Sequence, residues 1–184
     1  MQEAGLPFLS NWQNFYMIIG TAAATLTGLV FVVITLIAGI ETHVPTMNAG
    51  ISAFNTPTIM HFCVVLLIAG ILSAPWQAFA SVSLLLGLAG LGMVLYMITV
   101  IERMRHVPGY QTPLKDWLWY TAFPLMAYIV LIVAAIELPA YPELALYIIS
   151  AVLITQLFLS IHNAWDLVTY IAVERAHPEN KDQV

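Results

Sequence analysis

His162 and Asp166, four residues apart, are the pair in this chain whose types and spacing could do chemistry. At that spacing both project from one face of a helix, where a carboxylate can hold an imidazole by hydrogen bond. Such a pair can relay protons or bind a cation. Plotted at 100° per residue, the stretch around them is polar on one side, with Thr155, Gln156, His162, Asn163 and Asp166, and apolar on the other, with Leu157, Phe158, Ile161 and Trp165. These five polar residues form the candidate pathway, with Gln156 as its narrow point and Thr21 or Thr25 as partners from another helix. The same residues have a structural alternative, a buried polar network that fastens their helix to its neighbours. His61 and Glu102 add a second candidate, a cluster of His61, Glu102, His162 and Asp166 at one depth. Within it, His61 and His162 could approach one haem iron, or His162, Asp166 and Glu102 one metal ion. No motif predicts a cofactor, and neither haem nor metal is excluded.

The elements that must carry these residues follow from composition and charge. Of 184 residues, 61% are apolar and 8% charged, with mean hydropathy +0.89. Soluble domains carry about 25% charged residues, so the composition is that of a small multi-pass membrane protein. A net charge of −5 without a basic tract excludes a nucleic-acid partner. One cysteine, Cys63, excludes an internal disulfide and a cysteine-based zinc site, and its apolar surroundings make it an inert core thiol.

A charge at the bilayer centre costs about 3 kcal/mol on insertion scales, so the uncharged intervals mark the spans. They predict an all-α bundle of five transmembrane helices over about 15–40, 57–74, 75–104, 116–137 and 143–173, in one domain with a short tail at 174–184. Pro57 reads as a first helical residue after Asn55 or Thr56. Pro124 should kink the fourth span and free a carbonyl near Tyr120. One helix through 57–104 would instead give four spans. The first apolar run is too long for a signal peptide and has no charged lead, so it is expected to remain as a mature helix. All five basic residues fall between spans three and four or after span five. The bias of Lys and Arg toward cytoplasmic loops then places the N-terminus outside and the C-terminus in the cytoplasm. Trp12, Tyr16, Trp76, Trp117 and Trp119 sit where interfacial aromatics belong.

Packing in lipid relies on small residues. Gly20, Ala24 and Gly28 make a stripe on span one, Gly70 and Ala74 a patch on span two, and Ser83, Gly87, Gly90 and Gly92 a patch on span three. They serve either the bundle itself or a homo-oligomer, and the small interior of five helices favours the oligomer. The segments Thr21-Ala22-Ala23-Ala24-Thr25-Leu26-Thr27-Gly28-Leu29-Val30-Phe31-Val32 and His162-Asn163-Ala164-Trp165-Asp166-Leu167-Val168 resemble stretches of small multi-pass bacterial inner-membrane proteins. The resemblance covers about 20 residues and implies the bacterial inner membrane, with no activity to carry over.

Three function classes remain. The first is an oligomeric channel or carrier passing protons, ions or a small polar solute along the polar face of the fifth span, supported by that face and opposed by the lack of a filter signature or inverted repeat. The second is a non-transporting subunit of a larger membrane complex. The third is an intramembrane haem or metal protein. An enzyme is disfavoured, since no phosphate-binding Gly-rich loop, Gly-x-Ser-x-Gly elbow or His-Glu-x-x-His helix occurs.

Overall fold

Proline, glycine and the few charges punctuate this apolar sequence, and its helices end close to where they fall. The computed structural model describes residues 6–38, 45–105 and 114–176. They form α1 (Leu6–Ala38), α2 (Pro45–Ser73), α3 (Phe79–Arg105), a one-turn α4 (Leu114–Trp117), α5 (Phe123–Glu137) and α6 (Pro142–Ala176). A π-helical segment, Leu118–Ala122, joins α4 to α5, and no strand occurs among the described residues. Five stretches are long and apolar enough to cross a bilayer: Leu9–Leu36, Thr56–Ser73, Phe79–Glu102, Leu118–Glu137 and Pro142–Thr169.

Several boundaries differ from the sequence expectation, the first being α1, which begins at Leu6 rather than near residue 15. Helix α2 begins at Pro45 and carries Pro57 inside it, so the earlier of two prolines takes the first-turn position where a missing N–H has no partner to lose. Most of the expected loop before Asn55 is therefore helical. Helix α3 begins at Phe79 rather than Pro75, because residues 74–78 form a turn in which the Trp76 indole donates to the Ile71 carbonyl at the end of α2. Helix α6 continues to Ala176, past the expected end at Val173. The rest of the tail, and the loops at 39–44 and 106–113, lie outside the described residues.

Helix α1 packs chiefly on α2, α3 on α5, and α6 on both α5 and α2. One contiguous core includes Tyr16, Phe62, Leu72, Leu86, Met97, Tyr128, Leu131 and Leu153. Outside it, Ile18, Leu36, Leu84, Met126, Ile136 and Phe158 face outward. An apolar exterior of this extent is compatible with a hydrocarbon surround and would be a liability in water.

The small residues divide by position. A Cβ on Gly20 would lie 3.1 Å from Ala69 Cβ, and one on Gly90 would lie 2.7 Å from Ile132 Cγ1, so these two glycines set the α1–α2 and α3–α5 approaches. The Ser83 hydroxyl, which donates to the Ala135 carbonyl, ties α3 to α5 as well. Gly28, Gly70, Gly87 and Gly92 have open space where a Cβ would sit, and Ala24 is exposed. The stripe Gly20, Ala24, Gly28 is thus used inside the bundle at one end only.

Candidate functional site

The site begins with a backbone defect. Through Leu118–Ala122 the ladder runs five residues back, and the Phe123 N–H donates to the Leu118 carbonyl. The next amide in that register would serve the carbonyl of Trp119, but residue 124 is proline and has no N–H. The freed carbonyl is therefore that of Trp119 and not the expected Tyr120, one residue off because the π turn shifts the register.

Helix α6 supplies what is missing. Asn163 Nδ2 donates to the Trp119 carbonyl at 3.3 Å, and Gln156 Nε2, two turns away on the same face, donates to the Pro124 carbonyl at 3.2 Å. The Tyr120 hydroxyl returns a bond to the Asn163 carbonyl at 3.1 Å, and Ser160 donates to its own helix at Gln156. A carbonyl can only accept, so the NH₂ group of each amide must face α5. Their oxygens, Gln156 Oε1 and Asn163 Oδ1, are left buried without a protein partner.

His61, on α2, is fully buried against the fourth span. Its Nδ1 is 2.6 Å from the Tyr128 hydroxyl on α5, and its Nε2 is buried without a partner. Tyr120, Pro124 and Tyr128 recur every four residues and are all buried, so one face of the fourth span meets both His61 and the amides of α6. Tyr96 of α3 is close enough to Tyr128 to interact with it electrostatically. Further along α6, the Ser150 hydroxyl is 3.4 Å from that of Tyr16 on α1. Four buried polar residues, Ser150, Gln156, Ser160 and Asn163, are thus spread over about 20 Å of α6 at 1.5 Å per residue, with Ser150 turned to α1 and Gln156 and Asn163 turned to the fourth span.

Toward the end of α6, His162 and Asp166 do face each other, with Nε2 to Oδ2 at 3.4 Å, and Lys115 Nζ lies 3.6 Å from the same oxygen. The His162 ring rests against Trp119, with centroids 3.9 Å apart. The His162 and Asp166 side chains are about one-third exposed, so the trio is a half-open mouth.

The expected pathway is therefore split between two faces. Gln156 and Asn163 are buried, His162 and Asp166 sit at the mouth, and Thr155 is exposed with its hydroxyl bonded to Ala151 of its own helix. Thr21 and Thr25 do not join Gln156. They are exposed along α1 beside Asn14, and Thr25 donates to the Thr21 carbonyl, a self-bond that lets a threonine face an apolar medium. Nor do His61, Glu102, His162 and Asp166 gather: no group of three His, Cys, Asp or Glu side chains that could hold a metal occurs among the described residues. His61 is committed to Tyr128 and Glu102 is exposed. The sequence did not single out Tyr128 or Ser150, although the hydroxyl of Tyr128 inside an otherwise apolar span was an available signal; Tyr120 was expected only for its carbonyl, and Tyr16, expected as an interfacial aromatic, is instead fully buried with its hydroxyl turned to Ser150. Compared with protein-family models, with curated proteins and with solved structures, the chain matches none of them.

Proposed function

We propose that this chain is a multi-pass protein of the bacterial inner membrane, N-terminus outside and C-terminus in the cytoplasm, that passes protons through its own bundle. The observation that carries the reading is a set of three buried polar atoms without a partner, His61 Nε2 on α2 and Gln156 Oε1 and Asn163 Oδ1 on α6. A buried polar group without a partner costs about 1–3 kcal/mol. Three on two helices that pack on each other are a sizeable expense for packing alone, and each can take a water. His61 presents one ring nitrogen to Tyr128 and leaves the other open, so a proton taken up at Nε2 can be matched by release of one from Nδ1 to the Tyr128 oxygen while the Tyr128 hydroxyl gives its own proton to a water. The polar positions of α6 are packed, with Gln156, Ser160 and Asn163 almost wholly buried, which disfavours a hydrated ion or a polar solute. The mouth of Lys115, His162 and Asp166 exchanges protons with water at one end. Arg103, Arg105, Lys115 and Arg175 all lie on helix ends on that side, which supports placing it in the cytoplasm.

The test is proton uptake into liposomes under an imposed gradient, against empty vesicles and with K⁺ and Cl⁻ as controls. Wild-type flux should fall at least about tenfold, roughly 1.4 kcal/mol in barrier, in Tyr128→Phe, which removes only a hydroxyl, and in His61→Ala. Equal flux in wild type, both variants and empty vesicles overturns the reading.

A second reading, a subunit that associates laterally with its own copies or with a larger membrane complex, is favoured by one observation. Helix α1 buries few residues, and Ala24, Gly28, Leu29 and Val32 face outward along it. This reading predicts that Gly28→Leu disrupts assembly while leaving His61 variants silent.

A further inference from the structure

On the outward side of the α5–α6 contact lies an apolar groove of about 630 Å³, walled by Trp119, Phe123 and Val130 on one side and by Ile148, Thr155 and Phe158 on the other. Its walls extend from Trp119 to Val130 on one helix and from Ile148 to Leu159 on the other. At 1.5 Å per residue each is about 16 Å long, close to half of the ~30 Å hydrocarbon thickness of a bilayer. The groove is one leaflet deep. Its one hydroxyl, on Thr155, is used within α6, so the walls are almost wholly apolar. Trp119 forms the end wall and lies against His162 with the two rings tilted, and just beyond stand one positive and one negative side chain, Lys115 and Asp166, 3.6 Å apart.

We propose that this groove holds one phospholipid with a phosphoethanolamine headgroup. An acyl chain lies along the groove, the phosphate meets Lys115 and the ammonium meets Asp166. The charge pattern selects this occupant. A phosphoethanolamine group carries an anion and a primary ammonium a few bonds apart and can pair with both side chains, whereas a phosphoglycerol headgroup would leave Asp166 facing a net negative lipid. The proposal requires membrane insertion, and although it shares Lys115 and Asp166 with the proposed proton mouth, its test reads lipid retention and not proton flux.

The experiment is native mass spectrometry of the full chain released from micelles doped equally with phosphatidylethanolamine and phosphatidylglycerol of the same acyl chains. The wild type should retain one phosphatidylethanolamine, favoured roughly tenfold, or about 1.4 kcal/mol. Thr155→Trp fills the groove from an outward-facing position and should abolish retention. Asp166→Asn, outside the groove, should keep a bound lipid and lose the preference, with helical content unchanged by circular dichroism in both variants. Equal retention of the two lipids by the wild type, a preference for phosphatidylglycerol, or undiminished retention by Thr155→Trp overturns the site. Failure of the chain to partition into vesicles at all would instead refute the membrane reading.

Discussion

Gly90 and Gly92, two residues apart on α3, show how far a single methyl group can differ in consequence. At Gly90 the added carbon would meet Ile132 Cγ1 at 2.7 Å, an atom next to the branch point that can move only with its helix. Overpacking of this kind costs about 1–3 kcal/mol, against which alanine returns up to about 1 kcal/mol of helix propensity. Gly90→Ala should therefore lower unfolding stability in detergent by about 1 kcal/mol. Gly92→Ala, with nothing within 4 Å of the new carbon, should leave stability unchanged or raise it by up to about 1 kcal/mol. A matched loss at both positions would mean that helix contacts are not set at Gly90.

At the scale of elements, the π segment and α6 are two halves of one device. Pro124 and the π turn orphan the Trp119 carbonyl, and Asn163 is the side chain that answers it. Asn163→Leu should cost about 1–3 kcal/mol, the penalty of leaving a buried carbonyl open. In a Pro124→Ala background residue 124 regains its amide and the same substitution should cost about 1 kcal/mol less. Additive losses around that cycle would separate the proline from the asparagine. The loss of an amide at Pro124 was readable from one residue, and the five long apolar helices were readable from the uncharged intervals, because both follow from local chemistry. Which carbonyl the proline frees was not readable, since spacing alone does not announce a π turn. The start of α2 was misplaced at Pro57 because Pro45 carries the same first-turn signal twelve residues earlier. The pairing of His61 with Tyr128 crosses 67 residues of chain, and nothing local to either residue encodes it. The polar face of α6 was legible as a face, but its division into a buried side and an outward side depends on where α5 sits.

For the whole molecule, charge is the feature on which the proposed orientation rests. Glu137 and Glu143 flank the turn between α5 and α6, whereas Lys115, Asp166 and the described arginines lie at the opposite helix ends. In a Cys63→Ala background, Lys115→Cys should react with a membrane-impermeant maleimide from the cytoplasmic side only. Tyr141→Cys, exposed in the α5–α6 turn, should react from the outside only. The reverse pattern would invert the molecule and put its charged mouth outside.

The bond between Tyr16 and Ser150 also sets an order of events during synthesis. Its partners are 134 residues apart, and the edge contact of Trp12 with Tyr147 spans one residue more. At about 5–20 residues per second, the ribosome reaches Ser150 roughly 7–27 s after Tyr16. For that interval the first helix has α2 to lie against but no partner for its tyrosine, and its buried hydroxyl must be served by water, lipid headgroups or an insertion factor. Closure of the bundle is therefore a late, chain-spanning step, and a nascent chain halted before α6 would hold Tyr16 and Trp12 open to whatever assists insertion.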